Sequence, residues 1–527
     1  MKPTVQRAPF SSDLQELRGF LPEILKILQA DSEWYASLYF ERKSGVTASA
    51  NLKQTQVSER VSSGLVMRIY DGYTLHETAT DDLRESSVRL LAESFVARLR
   101  SDQVRAGKEF RPYRAPSWSD RLKAPLEEEI LSQIPSSVNA QTAVHFGVRF
   151  EEDPRVGSVE PLMEEVKKLI HRAQFVTNTL GIAPEKITYL SARRSFYQEE
   201  AIFVDAQSNL SQTLYRNSVF VAAMSGADRT YFTTGGLGGL ECVEVSDQDL
   251  KSVLMDLMAI LEAQRLEPGR YRVIFGPVVS GVLAHEAFGH SQEGDTCARG
   301  RSKAWELYLS GQSVGNEQAT ILNNPAVYQN GEFSYAAWGS YFFDEEGWLA
   351  REQVLLQEGK LQAPMTNLTS ALRLGVPRTA NGKRESWASG VYTRQTNTYF
   401  SAGKKTLNEL MEELGEGFIA THPAGGMEDP KGMGIQVGIA YLKEVKDGKL
   451  TGRVFKGPAG GDIQMTGFVP DVLSRIVAKS KIEVGHSSED RARFPFNDNG
   501  GCGKYHKEYV HAGCGGPYML LDGVTLG

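Results

Sequence analysis

Hydrophobic side chains in this sequence follow a helical period in some segments and alternate in others, which indicates a mixed α+β fold. Helical periods occur at 11–30, 80–100, 157–181, 247–264 and 406–414. Alternating runs occur at 34–41, 64–70, 143–151 and 187–232, and short β-like runs separated by Gly, Asn and Pro continue from 315 onward. We therefore predict more helix early in the chain and more strand late.

A glycine-rich stretch suggests where the chain divides. The 527 residues are too many for one hydrophobic core, so two or three domains are expected. Residues 234–239 read Thr-Gly-Gly-Leu-Gly-Gly, without the lysine or acidic partner of a phosphate-binding loop. We predict a flexible loop here and a boundary between domains 1–238 and 239–527.

Charge and composition exclude several classes of protein. The formal net charge of −7 argues against direct nucleic-acid binding, which needs a basic face. No apolar run reaches the roughly 18–20 residues of a membrane helix, and residues 1–20 mix charged with apolar side chains, unlike a secretory signal. Four cysteines are too few for a disulfide framework. We expect a cytoplasmic protein that does not associate with membranes.

One predicted helix carries a pattern typical of metal sites. Pro277 occupies a favourable first helical position, and the helix continues into His285-Glu286-x-x-x-His290. The histidines are five residues apart, so in an ideal α-helix they would point about 140° away from each other. Both can reach one metal only through a π-bulge or a loosened helix end. Gly289 makes such a loosening easy, because glycine tolerates unusual backbone conformations.

The residue types of this pattern suit metal-assisted hydrolysis. Neutral imidazoles bind zinc, and an adjacent carboxylate such as that of Glu286 can act as a general base toward a metal-activated water. A catalytic zinc also needs a third protein ligand. Glu293 and Asp295 are nearby candidates, and Cys502, flanked by glycines, is a distant one. Spacing alone leaves the choice open.

Further motifs resemble those of the TldD/PmbA peptidase family, also called the modulator of DNA gyrase family. The resemblance covers nearly the whole chain from about residue 30 and is strongest after 275. It rests on the segment from Gly281 to His290 with Glu293-Gly294-Asp295, and on four later matches: Asp344-Glu345-Glu346-Gly347, Gly382-Lys383-Arg384-Glu385-Ser386, Arg394-Gln395-Thr396-Asn397-Thr398 and Cys502-Gly503-Lys504. A weaker match lies at Ser63-Gly64 to Gly72.

The resemblance implies a function and a ligand set. By position, His285, His290 and Cys502 would hold one Zn²⁺ per chain, although ligand type does not exclude another divalent metal such as iron. Glu286 would be the general base of a peptidase acting on short or unfolded peptides held by strand addition. The resemblance also implies an N-terminal α/β domain (1–238) for substrate binding and dimer formation, and a C-terminal β-rich domain (239–527) carrying the metal-binding helix.

The oligomer and the rival functions remain open at this stage. The resemblance implies a dimer, so a homodimer or a heterodimer with a related subunit is expected. The alternative function is a non-catalytic or structural partner subunit. Two further alternatives are a thiol hydrolase, with Cys502 as nucleophile and His506 or His511 as base, and a purely structural zinc site. The family pattern is not followed at His506, which we predict to be a surface residue, or at Cys514, which we predict to be inert.

Overall fold

The computed structural model describes residues 5–29, 31, 33–101, 109–155, 159–330, 334–481, 498–504 and 507–527. It contains two large sheets with helices packed around them, and this confirms the predicted α+β class. The strands of one sheet come from residues 35–237 and those of the other from 264–526, on either side of the predicted boundary. The boundary itself stays a prediction.

The N-terminal sheet is antiparallel except at one edge. Its strands among the described residues are β1 (Tyr35–Asn51), β2 (Thr55–Tyr70), β3 (Leu75–Thr80), β4 (Ala143–Gly147), β5 (Tyr189–Asp205), β6 (Ser208–Ser225) and β7 (Asp228–Leu237). Their order is β3-β2-β1-β5-β6-β4. Strand β6 pairs in parallel with β4 near its start and antiparallel with β7 along the rest.

Four helices cover this sheet: α1 (Gln15–Leu28), α2 (Glu85–Ser101), α3 (Glu160–Thr179) and α4 (Asp247–Leu261). Helices α1 and α3 contact β1 and β5, α2 packs on α1, and α4 contacts α3, β6 and β7. Each buries the apolar stripe that its helical period predicts, as with Leu21 and Ile24 of α1. The sheet and helices together form the two N-terminal core clusters.

The strands of the first half are much longer than predicted. Strands β1, β2, β5 and β6 each span 16 to 18 residues, so the prediction of more strand late in the chain is wrong. The alternating runs at 34–41 and 64–70 mark only the buried ends of β1 and β2. Their other halves are rich in charged and small polar residues and extend in the same continuous antiparallel register.

The glycine-rich stretch is a strand end and not a flexible loop. Residues 234–237 complete β7 in a buried ladder with β6, and Leu237 also bridges to Ala336. A Cβ atom on Gly236 would lie 2.4 Å from the carbonyl oxygen of Ala336, and one on Gly239 would lie 1.8 Å from that of Glu152. The glycines therefore permit close backbone packing, which the sequence pattern alone does not distinguish from flexibility.

The C-terminal sheet is mixed and carries the helix with the metal-site pattern. It comprises Gln264–Arg265, β8 (Gly269–Phe275), β9 (Gly417–Ala420), β10 (Pro423–Asp429), β11 (Gly434–Ile439), β12 (Leu442–Lys446), β13 (Lys449–Lys456), β14 (Ile463–Phe468) and β15 (Ile476–Lys479). After the separate hairpin of β16 (Asp498–Lys504) and β17 (Lys507–Cys514), β18 (Met519–Leu526) completes it. The order is Gln264–Arg265, then β13-β12-β9-β8-β18-β14-β11-β10, with β15 on β18.

Smaller elements connect these sheets. A four-stranded sheet contains Ile321–Asn323, Gln353–Gln357, Lys360–Leu361 and Thr398–Phe400, and two-stranded pairs join Gln6–Arg7 with Arg149–Phe150 and Gly382–Lys383 with Tyr392–Thr393. Short helices are Trp118–Arg121, Glu128–Leu131, Gly294–Ala298, Ala304–Ser310, Leu368–Leu374, Leu407–Leu414 and Val469–Ser474, with 3₁₀ turns at Ser12–Leu14, Pro184–Lys186 and Leu240–Val243. In the part of the chain that the structure describes, no helix has the length and apolar character needed to cross a bilayer.

Candidate metal centre

The predicted metal-site helix contains the irregular turn that its histidine spacing requires. Helix α5 (Pro277–Ala284) follows Gly276, and Pro277 stands at its first position. A π-turn then covers His285–Gly289, in which the N–H of His290 donates to the carbonyl oxygen of His285 at 3.2 Å. This wider turn brings the rings of His285 and His290 to a centroid separation of 4.8 Å with perpendicular planes. We call residues 277–290 the motif helix.

Gly289 has a different role from the one predicted. Its φ is not positive, so the turn does not depend on a conformation reserved for glycine. A Cβ atom at this position would instead lie 2.0 Å from Oε1 of Gln395. The amide of Gln395 in turn donates to the carbonyl oxygen of His285 at 3.3 Å. The small residue therefore makes room for a side chain that supports the π-turn.

The β16–β17 hairpin brings Cys502 to the motif helix. Cys502 lies in β16, opposite Val510 of β17, and is buried. Its Sγ is 3.4 Å from Nε2 of His290. Gly501 has no space for a side chain, because a Cβ atom there would overlap the ring of Tyr509. The glycine beside Cys502 thus allows the hairpin to close tightly next to the histidines.

His285, His290 and Cys502 form a compact group of metal-binding atoms, which we call the donor cluster. One donor atom from each residue lies within 4.8 Å of the other two. Ligands of a tetrahedral zinc, at bond lengths of about 2.0–2.3 Å, lie roughly 3.5 Å apart, so the cluster fits such an ion after small side-chain shifts. The set of two imidazoles and one thiolate also leaves a coordination position for a substrate or water, as a catalytic zinc requires.

The electrostatics of the cluster favour a thiolate, the form of cysteine that binds metals. Burial of Cys502 opposes ionisation, but the charges of His290 and His285 hold its pKa well below the usual value. Burial also opposes protonation of His290, yet Cys502 and Glu293 raise the pKa of this histidine well above its usual value. Each effect has the same origin, because opposite charges stabilise one another in a buried site.

Glu293 and Arg394 surround the donor cluster instead of joining it. Oε1 of Glu293 is 3.5 Å from Nδ1 of His290 and 3.6 Å from Nε of Arg394. Arg394 also donates to the carbonyl oxygen of Cys502 at 2.5 Å. A carboxylate against the second ring nitrogen orients a ligating histidine, and Arg394 ties that carboxylate to the hairpin. Glu293 therefore lies against His290 outside the donor cluster, in the position of an outer partner.

Glu286 is held next to the donor cluster by close packing. It is buried, and a Cβ atom on Gly426 of β10 would lie 2.6 Å from its Cγ. The pKa of Glu286 is raised to about 7, because burial and the neighbouring carboxyl of Glu428 outweigh the opposing charges of His285 and His290. A carboxyl group with such a pKa can exchange a proton near neutral pH, as a general base must.

A cavity of about 780 Å³ opens beside Glu286 and the donor cluster. One wall is the motif helix with the β16–β17 hairpin and the start of β10. The opposite wall is a polar face of the N-terminal sheet, formed by Thr47, Arg193, Ser195, Tyr197, Ser218, Phe220, Tyr231 and Thr233. The exposed halves of the long strands thus extend over the metal-site region, and the cavity is built by both parts of the chain.

A buried ionic cluster fixes the hairpin to this N-terminal wall. Nε2 of His511 in β17 is 3.2 Å from Oε1 of Glu199 in β5, and Glu199 also pairs with Arg216 at 3.0 Å. The ring of His511 packs edge-on against Trp338 at 5.0 Å. Burial lowers the pKa of His511 to about 4, so this histidine is neutral at pH 7.

The other residues singled out in the sequence lie around the site. Asp295 is buried outside the donor cluster. Cys514 borders the cavity, with its Sγ 3.4 Å from the carbonyl oxygen of Val278. His506 lies outside the described residues. Glu428 and Arg193 were not among the residues predicted to be functional, although the glycine pair before Glu428 could have indicated a close approach to another element.

Comparison with protein families supports a metallopeptidase. The model of the PmbA/TldA metallopeptidase C-terminal domain matches residues 268–527. A Haemophilus influenzae protein named metalloprotease TldD homolog is 29% identical over 390 residues, which cover 71% of this chain and 75% of that protein. A metalloprotease of Methanocaldococcus jannaschii is 26% identical over 366 residues, covering 66% of this chain and 75% of that protein. A zinc metalloprotease TldD homolog of Saccharolobus solfataricus is 27% identical over 277 residues, covering 51% and 59%.

Solved structures show the same fold at lower sequence identity. A protein described as a modulator of DNA gyrase from Thermotoga maritima aligns with a TM-score of 0.65 at 15% identity, covering 97% of this chain and 99% of that one. TldE from Thermococcus kodakarensis aligns with a TM-score of 0.62 at 12% identity, covering 98% and 100%. These two similarities concern the fold alone.

Proposed function

We propose that the chain is a zinc-dependent metallopeptidase of the PmbA/TldD family that hydrolyses short or unfolded peptides. The observation that carries the proposal is the donor cluster of His285, His290 and Cys502 beside the buried Glu286. A zinc-named relative supports the choice of metal. We propose one Zn²⁺ per chain, held by these three residues.

The arrangement assigns a task to each residue. When bound, zinc would supply Lewis-acid polarisation to the scissile carbonyl and to an attacking water. Glu286 would take the proton of that water, because its pKa of about 7 suits proton exchange at neutral pH. Gly426 restricts the Glu286 side chain, and Gln395 supports the π-turn that aims both histidines at one point. The chain thus positions the base before substrate arrives.

The shape of the cavity supports an extended peptide as substrate. Strand β10 is an edge of the C-terminal sheet among the described residues, and Pro423, Gly425 and Gly426 at its start line the cavity. The register of β10 with β11 is irregular between Pro423 and Gly426, as at a β-bulge beside a site. We propose that the peptide adds along this edge, next to Glu286. A folded protein would not fit a cavity of about 780 Å³.

The quaternary structure and the cellular compartment are also proposals. We propose a cytoplasmic dimer, either of two identical chains or with a related subunit such as a TldE-like protein. The runner-up function is then a non-catalytic partner subunit in such a complex. The buried Glu286 between two histidines favours the catalytic role, because a purely structural site has no use for a general base there.

The first experiment compares the wild type with Glu286→Gln and Cys502→Ser. Metal content is measured by mass spectrometry. Hydrolysis is measured with a mixture of unstructured peptides. We expect one zinc per chain in the wild type and in Glu286→Gln, with hydrolysis lowered about 10²- to 10⁴-fold in the latter because the general base is lost. Cys502→Ser should lose most of its zinc.

Each other outcome contradicts a part of the proposal or favours an alternative function. Zinc in both proteins with equal hydrolysis would contradict the role of Glu286. Zinc with no hydrolysis in either would favour the partner-subunit alternative. Activity that survives a chelator but not a thiol reagent would favour the thiol hydrolase with Cys502 as nucleophile; His290, 3.4 Å from its Sγ, would then replace the predicted His506 or His511 as base.

A further inference from the structure

Charge is unevenly distributed around the cavity. Outside the donor cluster, the described residues of its lining include two with formally charged side chains, Glu286 on the motif-helix wall and Arg193 on the opposite wall. The rest of the N-terminal wall consists of neutral Ser, Thr, Tyr and Phe side chains. A cation on an otherwise neutral wall, across the cavity from the donor cluster, is a strong local determinant of which peptides are held there.

The placement of Arg193 differs from that of its neighbour Arg194. Arg194 points into the core, where it is buried and bonded to Asn217 at 3.0 Å and Glu165 at 3.2 Å. Arg193 points to the other face of β5 and is exposed. Its guanidinium carbon lies 5.2 Å from the ring centre of Phe220. Among the described residues no carboxylate forms an ion pair with Arg193, so its charge remains open to a ligand.

A second, smaller pocket adjoins this arginine. It has a volume of about 260 Å³ and is lined by Arg193, Phe220 and uncharged residues of β1, β2 and β5, including Asn51, Gln56 and Tyr189. Arg193 and Phe220 line both this pocket and the main cavity. A group bound at Arg193 would therefore lie where the two spaces meet.

We propose that Arg193 binds a carboxylate of the peptide substrate and makes the enzyme selective for peptides that carry one at this point. The proposal rests on the proposed peptidase function and adds a substrate class to it. Guanidinium and carboxylate form paired, charge-assisted hydrogen bonds, and stacking on Phe220 restricts the guanidinium beforehand. The carboxylate can be a free C-terminus or the side chain of Asp or Glu, since both present the same group.

The test uses matched peptides that differ only in one carboxylate. One pair of short internally quenched peptides ends in a free acid or an amide, and a second set, all amidated, scans a Glu against a Gln at each position. The wild type should prefer the carboxylate form of at least one pair by about 10- to 100-fold in kcat/KM. In Arg193→Gln this ratio should fall to about 1.

The matched control is Arg98→Gln in α2. Arg98 is also exposed and also lies over a phenylalanine, Phe95, at 5.5 Å, but it does not line the cavity. This variant should keep the wild-type ratio. Loss of the acid-over-amide ratio in Arg193→Gln identifies a C-terminal carboxylate, and loss of a Glu-over-Gln ratio identifies a side chain. Equal rates for all pairs in the wild type, or an unchanged ratio in Arg193→Gln, would overturn the proposal.

A binding measurement separates this proposal from the proposed function. Dissociation constants of the same peptides are measured by fluorescence anisotropy in the Glu286→Gln background, with and without Arg193→Gln. A carboxylate preference that disappears with Arg193 supports the binding site even if no peptide is cleaved. Cleavage without any such preference in binding or rate would support the proposed peptidase function and refute the role of Arg193.

Discussion

At the residue scale, glycines decide how closely other groups approach the motif helix. A Cβ atom on Gly281 would lie 2.5 Å from the backbone nitrogen of Gly515, and Gly289 and Gly426 face Gln395 and Glu286 in the same way. None of the three has a positive φ. Their contribution is therefore space, which lets neighbouring segments fix the positions of Glu286 and both histidines.

We predict that Gly289→Ala weakens the metal centre. The added methyl group would meet Oε1 of Gln395 at 2.0 Å, so Gln395 must move away from the carbonyl oxygen of His285. We expect a loss of about 1–3 kcal/mol in the free energy of unfolding, together with lower zinc affinity. Chemical denaturation and a competition assay with a zinc chelator measure the two effects.

Gly19→Ala is the control for this substitution. Gly19 lies within α1, and a Cβ atom there would have no neighbour within 4 Å. Alanine should stabilise the protein by about 0.5–1 kcal/mol, because it lowers the entropy cost of the helix. If Gly289→Ala keeps the stability and zinc affinity of the wild type, crowding at Gly289 is not what fixes the π-turn.

At the element scale, the β16–β17 hairpin links Cys502 to the N-terminal sheet through His511. The titratable groups around this histidine come from β1, β5, β6 and β17; they are Lys43, Tyr197, Glu199, Arg216 and Tyr509. Burial and the charge of Arg216 lower the pKa of His511 to about 4, while Glu199 opposes them. The folded pKa is thus below the roughly 6.5 of an unfolded histidine.

We predict that acid loosens this hairpin. Between pH 6.5 and about 4 the unfolded chain binds a proton at His511 that the folded chain does not, so the stability tied to neutral His511 is complete above pH 6.5 and is lost as pH falls. The free energy of unfolding should therefore decrease more from pH 7 to pH 5 in the wild type than in His511→Gln. Urea denaturation at both pH values measures the difference.

The exposed His171 of α3 provides the control for the pH experiment. His171→Gln should keep the pH dependence of the wild type, since this side chain lies outside the hairpin. Equal pH dependence of His511→Gln and the wild type would show that protonation of His511 does not limit the stability of the hairpin.

At the scale of the whole molecule, the second half of the chain completes the core of the first. Helix α4 and residues between Ala326 and Ala350 belong to the same buried cluster as β5 and β6. Buried ion pairs also cross between the halves, as Arg68 pairs with Glu346 at 3.1 Å. The cavity itself has one wall from each half. The two predicted domains are therefore interdependent in structure.

We predict that the fragment 239–527 does not form a stable metal centre by itself. It would expose Tyr328, Phe342 and Phe343, which are buried in the intact chain, at a cost of about 2 kcal/mol each. It would also lose Glu199, the partner of His511. Thermal unfolding and zinc content of the fragment, with and without added 1–238, test this. A cooperative transition with one zinc per fragment would contradict it.

The sequence by itself determined the α+β class, the buried apolar face of most of the long helices and the need for a π-turn. These features depend on residues close together in the chain. It also located Glu286 and both histidines, which share one turn. Tertiary structure decided the rest. The polar halves of β1 and β2 alternate only weakly, through small residues such as Val46, Ala48 and Ala50, so their pairing is what reveals them as strands. The approach of Cys502 to His290 and the position of Arg193 across the cavity join residues far apart in sequence, and such contacts depend on how complete elements pack.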